Sequence, residues 1–360
     1  MKKINLYDLG LTERYIQEAS MYEEGLYIGR VSVQHRNIYK VITEEGEIFA
    51  EVSGKLNYTS KSAIDYPAVG DWVLVDRTTN ENGNAIIHHI LSRRSCFERK
   101  VAGTRVDSQI VAANIDIIFI CMSLNNDFNI RRLERYISIA WDSSATPVIV
   151  LTKSDLCNDI EDKVFQVESA AIGIDVLVTS SVSEDGYLTI KKYIGKGKTI
   201  AFIGSSGVGK STLVNKLLED EVLETKSIGN DDKGRHTTTH RELFLIHEGG
   251  VVIDTPGMRE LGIVSADLNK SFSDIDEIAQ RCKFSDCRHE DEPKCAVREA
   301  IENGLLDAER FENYKKLQRE LKYSELNSKQ IEKEKINEMF GGMSGIKEAK
   351  KFIKNKNRRR

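Results

Sequence analysis

The sequence predicts a multidomain chain of three parts: a small β-barrel, an α/β unit on a mostly parallel sheet, and a polar helical unit. Three observations carry that expectation. Short strand patterns separated by turn residues run from Gly25 to about Val101, strands and helices alternate from about Asn114, and three cysteines crowd around one histidine after Asp267. The boundaries expected are 1–103, 104–265 and 266–360, in line with roughly 100–200 residues per domain.

The barrel rests on five runs, GLYIGRVSV, IYKVIT, EIFAEVSG, DWVLVD and NAIIHHIL, divided by turn formers such as EEG and NENG. Alternating β-branched residues between turn signals read as short strands, and five of them fit a small barrel of the OB type. The preceding stretch, LTERYIQEASMYEEG, reads as a short helix packed on that barrel. In the α/β unit, IDIIFICMS is a buried strand. NIRRLERYISIAWDSS is a helix with Leu133, Tyr136, Ile137 and Ala140 on one face, and TPVIVLTKSD is a strand running into a loop. VFQVESAA reads as a helix and IDVLVTSS as a strand, and KTIAFIGSSGVGKSTLVNKLL reads as strand, glycine loop and helix. RELFLIHEGGVVIDTPG reads as a hairpin ending at an acidic loop. Glu309 to Asn337 carries a charged helical pattern.

Composition narrows the function classes. With 40% hydrophobic and 30% charged residues and only 4 prolines, the chain is an ordinary globular one, not a disordered or low-complexity one. Its longest apolar run, Ile117 to Met122, is far short of the about 18 residues a membrane helix needs. The N-terminus MKKINLYDLGLTERYIQ lacks a secretory apolar core, so a cytoplasmic address and no membrane partner are expected. The net charge of −4 confines nucleic-acid contact to local patches.

Gly204, Ser205, Ser206, Gly207, Val208, Gly209, Lys210 and Ser211 match G-x-x-x-x-G-K-[ST] between the strand TIAFI and the helix STLVNKLL, and Thr212 of that helix is expected to join the nucleotide site. Glycines let backbone N–H groups turn toward phosphate, and the helix N-terminus adds a favourable dipole. Lys210 is expected to reach the β and γ phosphates, and the Ser211 hydroxyl to ligate Mg²⁺. Asp254 ends a strand in the sequence DTPG, where its carboxylate can hold Mg²⁺ through water and the Gly257 N–H can meet the γ phosphate.

Thr152, Lys153, Ser154 and Asp155 resemble the N-K-x-D guanine motif of GTPases. There a carboxylate accepts two N–H bonds from the guanine edge, which adenine does not offer. Asp155 is expected to read the base, with Lys153 lying along it. Thr152 stands where asparagine is usual, so guanine affinity is expected to be weaker while selectivity rests on Asp155. Ser180 and Ser181 match the loop that offers a backbone N–H to guanine O6. The base motif precedes the phosphate loop, the reverse of Ras-like chains. The middle unit is therefore expected to be a circularly permuted GTPase, since a site needs spatial arrangement and not chain order.

Cys282, Cys287, His289 and Cys295 offer three thiols and an imidazole at close spacing. Such a set suits one tetrahedral, structural Zn²⁺ per chain, with no position left for catalysis. Two basic stretches stand against the acidic total. Arg93, Arg94, Arg99, Lys100 and Arg105 form one, and Lys347, Lys350, Lys351, Lys354, Lys356 and Arg358 to Arg360 the other. Each reads either as a solvated charge run or as a surface for RNA phosphate.

A barrel, a permuted GTPase and a Cys/His unit, with TKSD, GSSGVGKST, GRHTTT, DTPG and the cluster in that order, resemble the bacterial small-ribosomal-subunit-dependent GTPases, the RsgA family. The resemblance covers nearly the whole chain. It implies a cytoplasmic, monomeric GTPase that binds GTP and GDP with Mg²⁺ and acts on the small ribosomal subunit and its rRNA in late maturation. Slow turnover stimulated by the subunit is implied as well. Among Thr237, Thr238 and Thr239, Thr238 is favoured as the switch threonine that senses Mg²⁺ and γ phosphate. Met258 stands where Ras-type enzymes place a water-orienting glutamine, and it can neither orient nor deprotonate water. The resemblance suggests His236 for that catalytic task; contact with phosphate or RNA is the alternative. Two other readings stay open: an RNA-binding module whose nucleotide site is a switch with negligible turnover, and an ATP-using enzyme, which Asp155 opposes.

Overall fold

A computed structural model describes residues 3–35, 37–100, 108–180, 185–219, 241–247, 249–254, 267–324 and 330, with backbone alone at 99, 100, 185–187 and 324. The chain opens with a 3₁₀ turn (Leu6–Leu9) and helix α1 (Glu13–Ala19). Strands β1 (Tyr27–Gln34), β2 (Tyr39–Thr43), β3 (Gly46–Val52), β4 (Trp72–Val75) and β5 (Ala85–Ile90) follow, with a short exposed helix α2 (Gly54–Thr59) after β3. Their order is β1-β2-β3-β5-β4, and β4 pairs back onto β1 to close the barrel. Alternate residues of these strands point inward, and Val31, Val41, Ile48, Val73 and Ile87 fill the interior. The five strand runs expected from sequence are the five strands of the barrel.

The N-terminal segment lies in the seam between the barrel and the α/β unit, not on the barrel alone. Leu6, Leu9, Leu11 and Tyr15 are buried there. The Tyr15 hydroxyl donates to Asn114 Oδ1 at 2.8 Å, and the Gly197 N–H donates to the Asp8 carbonyl at 3.1 Å. Arg30 of β1 is buried in the same seam. Its guanidinium donates to the Leu9, Gly70 and Asn114 carbonyls and to the Thr199 hydroxyl, and lies 5.2 Å from the centre of the Trp72 ring. Burial lowers its pKa to about 10, which leaves it charged at neutral pH. A buried charge is tolerable when acceptors surround it, and one arginine thereby binds the N-terminal turn, the barrel and the α/β unit together.

A two-stranded ribbon, β6 (Cys96–Lys100) and β7 (Ser108–Ala113), leads into the α/β unit. That unit comprises β8 (Ile117–Ser123), α3 (Ile130–Asp142), β9 (Thr146–Thr152), α4 (Ile160–Ala170), β10 (Val176–Val178), α5 (Asp185–Lys191), β11 (Thr199–Gly204), α6 (Lys210–Leu218), β12 (Glu242–Leu245) and β13 (Val251–Asp254). Its strand order is β10-β9-β8-β11-β13-β12, parallel except for β12. Strands covered on both faces read as continuous apolar runs, and β8 and β11 do so. The barrel adds to the same sheet through a single β1–β12 register pair, Val33 with Glu242. Because the strands are parallel, β8, β9, β10, β11 and β13 all end on one edge, where ligands of open α/β sheets bind.

Helix α3 starts at Asn129, whose side chain accepts the Arg132 N–H at 2.9 Å, an N-cap. The C-terminal unit, α7 (Leu268–Ser271), α8 (Ser273–Ala279), α9 (Ala296–Glu302) and α10 (Ala308–Ser324), packs against α3. The contact is ionic as well as apolar. Glu134 of α3 is 1% exposed and is met by Arg310 at 2.6 Å, Arg131 at 3.2 Å and the Asn313 amide at 2.6 Å. Arg310 also pairs with Asp274 at 2.8 Å and lies over the Phe272 ring. Among the described residues no helix is long and apolar enough to cross a membrane.

Candidate nucleotide and metal sites

The phosphate loop runs from Gly204 to Ser211, between the end of β11 and the first turn of α6. Gly204 has φ 140°, and a Cβ there would stand 2.2 Å from the Cys121 carbonyl of β8. Only glycine fits that close approach. Gly207 and Gly209 have φ 73° and 96°, the left-handed region that points successive N–H groups into the loop. The Lys210 amine donates to the Gly204 and Ser205 carbonyls at 2.8 and 2.6 Å, which places it inside the loop. Ser211 and Thr212 follow in the first turn of α6. Asp254 ends β13, on the strand beside β11. Positive-φ glycines, a helix N-terminus, an enclosed lysine and a strand-end carboxylate form a donor set that can hold a nucleotide's phosphates and Mg²⁺.

The base motif reaches the same place. Thr152 ends β9, and its hydroxyl donates to the Val208 carbonyl of the phosphate loop at 2.6 Å. It is a mechanical tie rather than a surface contact, for Thr152 is 4% exposed. The hydroxyl therefore links the base motif to the phosphate loop, although it is shorter than the usual amide. Lys153 takes φ 58°, which turns the chain so that Asp155 lies exposed at the sheet edge. The Ser180 hydroxyl donates to Asp155 Oδ1 at 2.5 Å, and the Ser154 N–H donates to the Thr179 carbonyl at 3.2 Å. Ser180 thus orients the carboxylate by its side chain, a role the sequence did not suggest. Ser181, His236, Thr238 with its neighbours Thr237 and Thr239, Gly257 and Met258 lie outside the described residues.

Replacing Thr152 by valine keeps the shape and deletes the donor. The Val208 carbonyl is then left buried without this partner, at a cost of about 1–3 kcal/mol. GDP is expected to dissociate roughly tenfold faster from the variant, measured with a fluorescent nucleotide chased by unlabelled GDP. An unchanged rate would remove the tie from the account.

Cys282, Cys287, His289 and Cys295 converge as the spacing predicts, their ligand atoms all within 4.8 Å of one another. Cys282 Sγ lies 3.9 Å from Cys295 Sγ, and His289 Nδ1 lies 3.6 and 3.3 Å from those two sulfurs. Around a tetrahedral zinc with Zn–S bonds of about 2.3 Å, ligand atoms stand roughly 3.5–3.8 Å apart, so the set fits. Cys295 N-caps α9. The Cys282 thiol is held below its ordinary value: burial acts to raise it, and the Val297 and Ala296 N–H groups at the start of α9 act against burial. Burial lowers the His289 pKa and keeps it neutral, the form that ligates. The ring meets Phe311 of α10 edge-on at 5.9 Å, which anchors the cluster on that helix.

The first basic stretch is partly spent on internal pairs. Arg93 bonds the buried Asp71 at 2.7 Å, and Arg94 pairs with Asp116 at 3.2 Å. The side chains of Arg99 and Lys100, Arg105, and the whole C-terminal basic stretch lie outside the described residues.

A phosphate loop, a carboxylate base motif encoded ahead of it and a three-cysteine, one-histidine cluster define a circularly permuted GTPase with an appended cluster that could hold a metal ion. Residues 90–264 match the family model described as RsgA GTPase. The chain is 51% identical over 348 residues to small ribosomal subunit biogenesis GTPase RsgA 2 of Lactiplantibacillus plantarum, covering 96% of this chain and 98% of that one. It is 42% identical over 338 residues to the RsgA of Methanosarcina acetivorans, covering 91% and 89%. The crystal structure of YjeQ from Thermotoga maritima superposes with a TM-score of 0.60 at 29% identity over 82% of this chain and 98% of that one. That of YloQ, a circularly permuted GTPase, gives 0.58 at 27% over 84% and 97%. The chain belongs to the RsgA GTPase family and is a GTP-hydrolysing enzyme.

Proposed function

We propose that this GTPase binds the small ribosomal subunit, through its rRNA, and assists the subunit's late maturation, hydrolysing GTP slowly alone and faster on the subunit. The observation that carries the reading is the Thr152 hydroxyl on the Val208 carbonyl, which brings a guanine-reading carboxylate and a phosphate cradle to one sheet edge. Asp155, oriented by Ser180 and flanked by Lys153 and Ser154, reads the base; Ser181 belongs to the same loop. The loop from Gly204 to Thr212 holds the phosphates, and Lys210 neutralises charge developing on the β–γ bridge. Ser211 and Asp254 hold Mg²⁺, which supplies further charge neutralisation when bound. Thr238 and Gly257 sense the γ phosphate, and His236 orients the attacking water. Zinc on Cys282, Cys287, His289 and Cys295 folds the C-terminal unit and does no hydrolysis. The domain limits are 1–103, 104–265 and 266–360, and the protein acts as a cytoplasmic monomer.

The test is phosphate release with purified small subunits, with large subunits and with neither. Stimulation by small subunits alone, about tenfold or more, supports the reading. Equal rates in all three would overturn the partner, and no release in any would favour a nucleotide-binding switch without turnover.

A further inference from the structure

A 3₁₀ turn, Ser154–Leu156, carries Asp155, and Cys157 closes it by donating its N–H to the Ser154 carbonyl at 3.1 Å. The Cys157 thiol is half-buried. It stands beside a lysine that is held from several sides. Lys163, one turn into α4, has a side chain only 19% exposed. Its Nζ donates to the Leu124 carbonyl at 3.2 Å, pairs with Asp159 at 3.3 Å and lies 5.5 Å from the centre of the Phe128 ring. The same Nζ lies 3.5 Å from Cys157 Sγ, and that thiol donates to Asp159 Oδ1 at 3.2 Å. A sulfur and a nitrogen, both nucleophiles, thus touch over one carboxylate. The contact lies two residues past Asp155 and belongs to no phosphate-loop, base or metal motif.

We propose that Cys157 and Lys163 form a reversible covalent cross-link, a sulfenamide, when the protein meets hydrogen peroxide. Cys157 gives its proton to Asp159, and its sulfur attacks one oxygen of the peroxide. The O–O bond breaks, sulfur is oxidised by two electrons and the peroxide is reduced, leaving Cys157 as the sulfenic acid and releasing water. Lys163, having passed its ammonium proton to Asp159, attacks that sulfur. The S–N bond forms, the S–O bond breaks, and the oxygen leaves as a second water with a proton from the nitrogen. One thiol, one amine and one peroxide give one sulfenamide and two waters. Asp159 is exposed and relays the protons to solvent. Two equivalents of a small thiol reverse the link, through a mixed disulfide, to free cysteine and lysine. Groups already held in contact react as if at very high concentration, so the amine outruns dissolved competitors for the sulfur. The flexible lysine stem takes up the approach to bonding distance. The base-motif turn therefore stays in place and becomes stapled to α4.

The experiment treats the full chain with hydrogen peroxide, blocks the remaining thiols and maps a tryptic digest by mass. Trypsin cuts after Lys153 and Lys163, so the untreated protein yields the peptide 154–163. The cross-link is expected to block the cut at Lys163 and to give the peptide 154–191 lighter by two hydrogens, with dithiothreitol restoring both cut and mass. Lys163→Arg keeps the charge and is expected to leave Cys157 carrying oxygen and unlinked. Fluorescent-GDP dissociation is measured on the same samples. Ligand release runs through local opening of the turn that holds it, so the stapled protein is expected to release GDP about threefold more slowly. Cys157→Ser is expected to show no such peroxide effect. A Lys163 cut that survives peroxide, with Cys157 unmodified or carrying oxygen, overturns the cross-link. A cross-link that leaves the GDP rate unchanged overturns its reach to the base motif. The effect on GDP rests on Asp155 reading the base, whereas the mass map uses no nucleotide, so the two fail separately.

Discussion

Replacing Cys295 by alanine is expected to empty the metal centre and unfold the C-terminal helices. Cys295 is buried, lies 3.9 Å from Cys282 and 3.3 Å from His289, and caps α9 with its sulfur. Structural zinc in small domains supplies about 10–16 kcal/mol at neutral pH, and that binding energy is folding energy. The loop from 282 to 295 carries little apolar side chain to replace it. Metal analysis should fall from about one zinc per chain to near zero. Limited proteolysis should cut within 267–324 and spare the barrel and the sheet. A strong chelator applied to the parent should reproduce the digest. An alanine variant that keeps its metal and its protease resistance would show that the four residues meet for another reason. The Glu134–Arg310 pair adds to the expected damage. Once α10 departs, Glu134 loses Arg310 and Asn313 in a buried place, and stripping a partner from a buried charge costs about 3–5 kcal/mol.

Changing Asp155 to asparagine is expected to convert a guanine site into a xanthine site. In the proposed function the carboxylate accepts both edge N–H groups of guanine. An asparagine amide presents one acceptor and an N–H that meets another donor, and a buried mismatch of that kind is worth about 3–4 kcal/mol. GTP should bind roughly 10²–10³-fold more weakly. Xanthosine triphosphate carries a carbonyl at the position of the lost amine, so it should bind more tightly to the variant than to the parent. Competition of both triphosphates against a fluorescent nucleotide reads the exchange. Loss of GTP affinity under threefold would mean that Asp155 does not face the base.

Much of this molecule is written locally, and those parts were readable. The five barrel strands follow from alternation between turns, and α3 from Leu133, Tyr136, Ile137 and Ala140 at helical spacing. The phosphate loop follows because glycine positions are dictated by backbone geometry, as Gly204 against the Cys121 carbonyl illustrates. The metal set is four donors within fourteen positions. What escaped depends on partners distant in the chain. Arg93 and Arg94 look like phosphate ligands until Asp71 and Asp116 are found beside them. Thr152 looks like a weakened base ligand until the Val208 carbonyl is placed next to it. The ribbon β6–β7 carried no strand expectation because CFERK sets its one large apolar side chain, the buried Phe97, among charged residues, and α2, with no buried residue, has no apolar stripe to detect. The N-terminal segment has a helical pattern, but nothing local says that two domains share it.

That shared segment sets how the protein can approach anything large. Leu9, Tyr15 and Arg30 lock the barrel to the sheet, and the β1–β12 pairing continues one into the other. The barrel is therefore a fixed outrigger, its distance and tilt from the GTP site set before any encounter. A surface engaging both at once must present two footholds at that spacing. A surface whose footholds lie at another spacing could engage only one of the two units at a time.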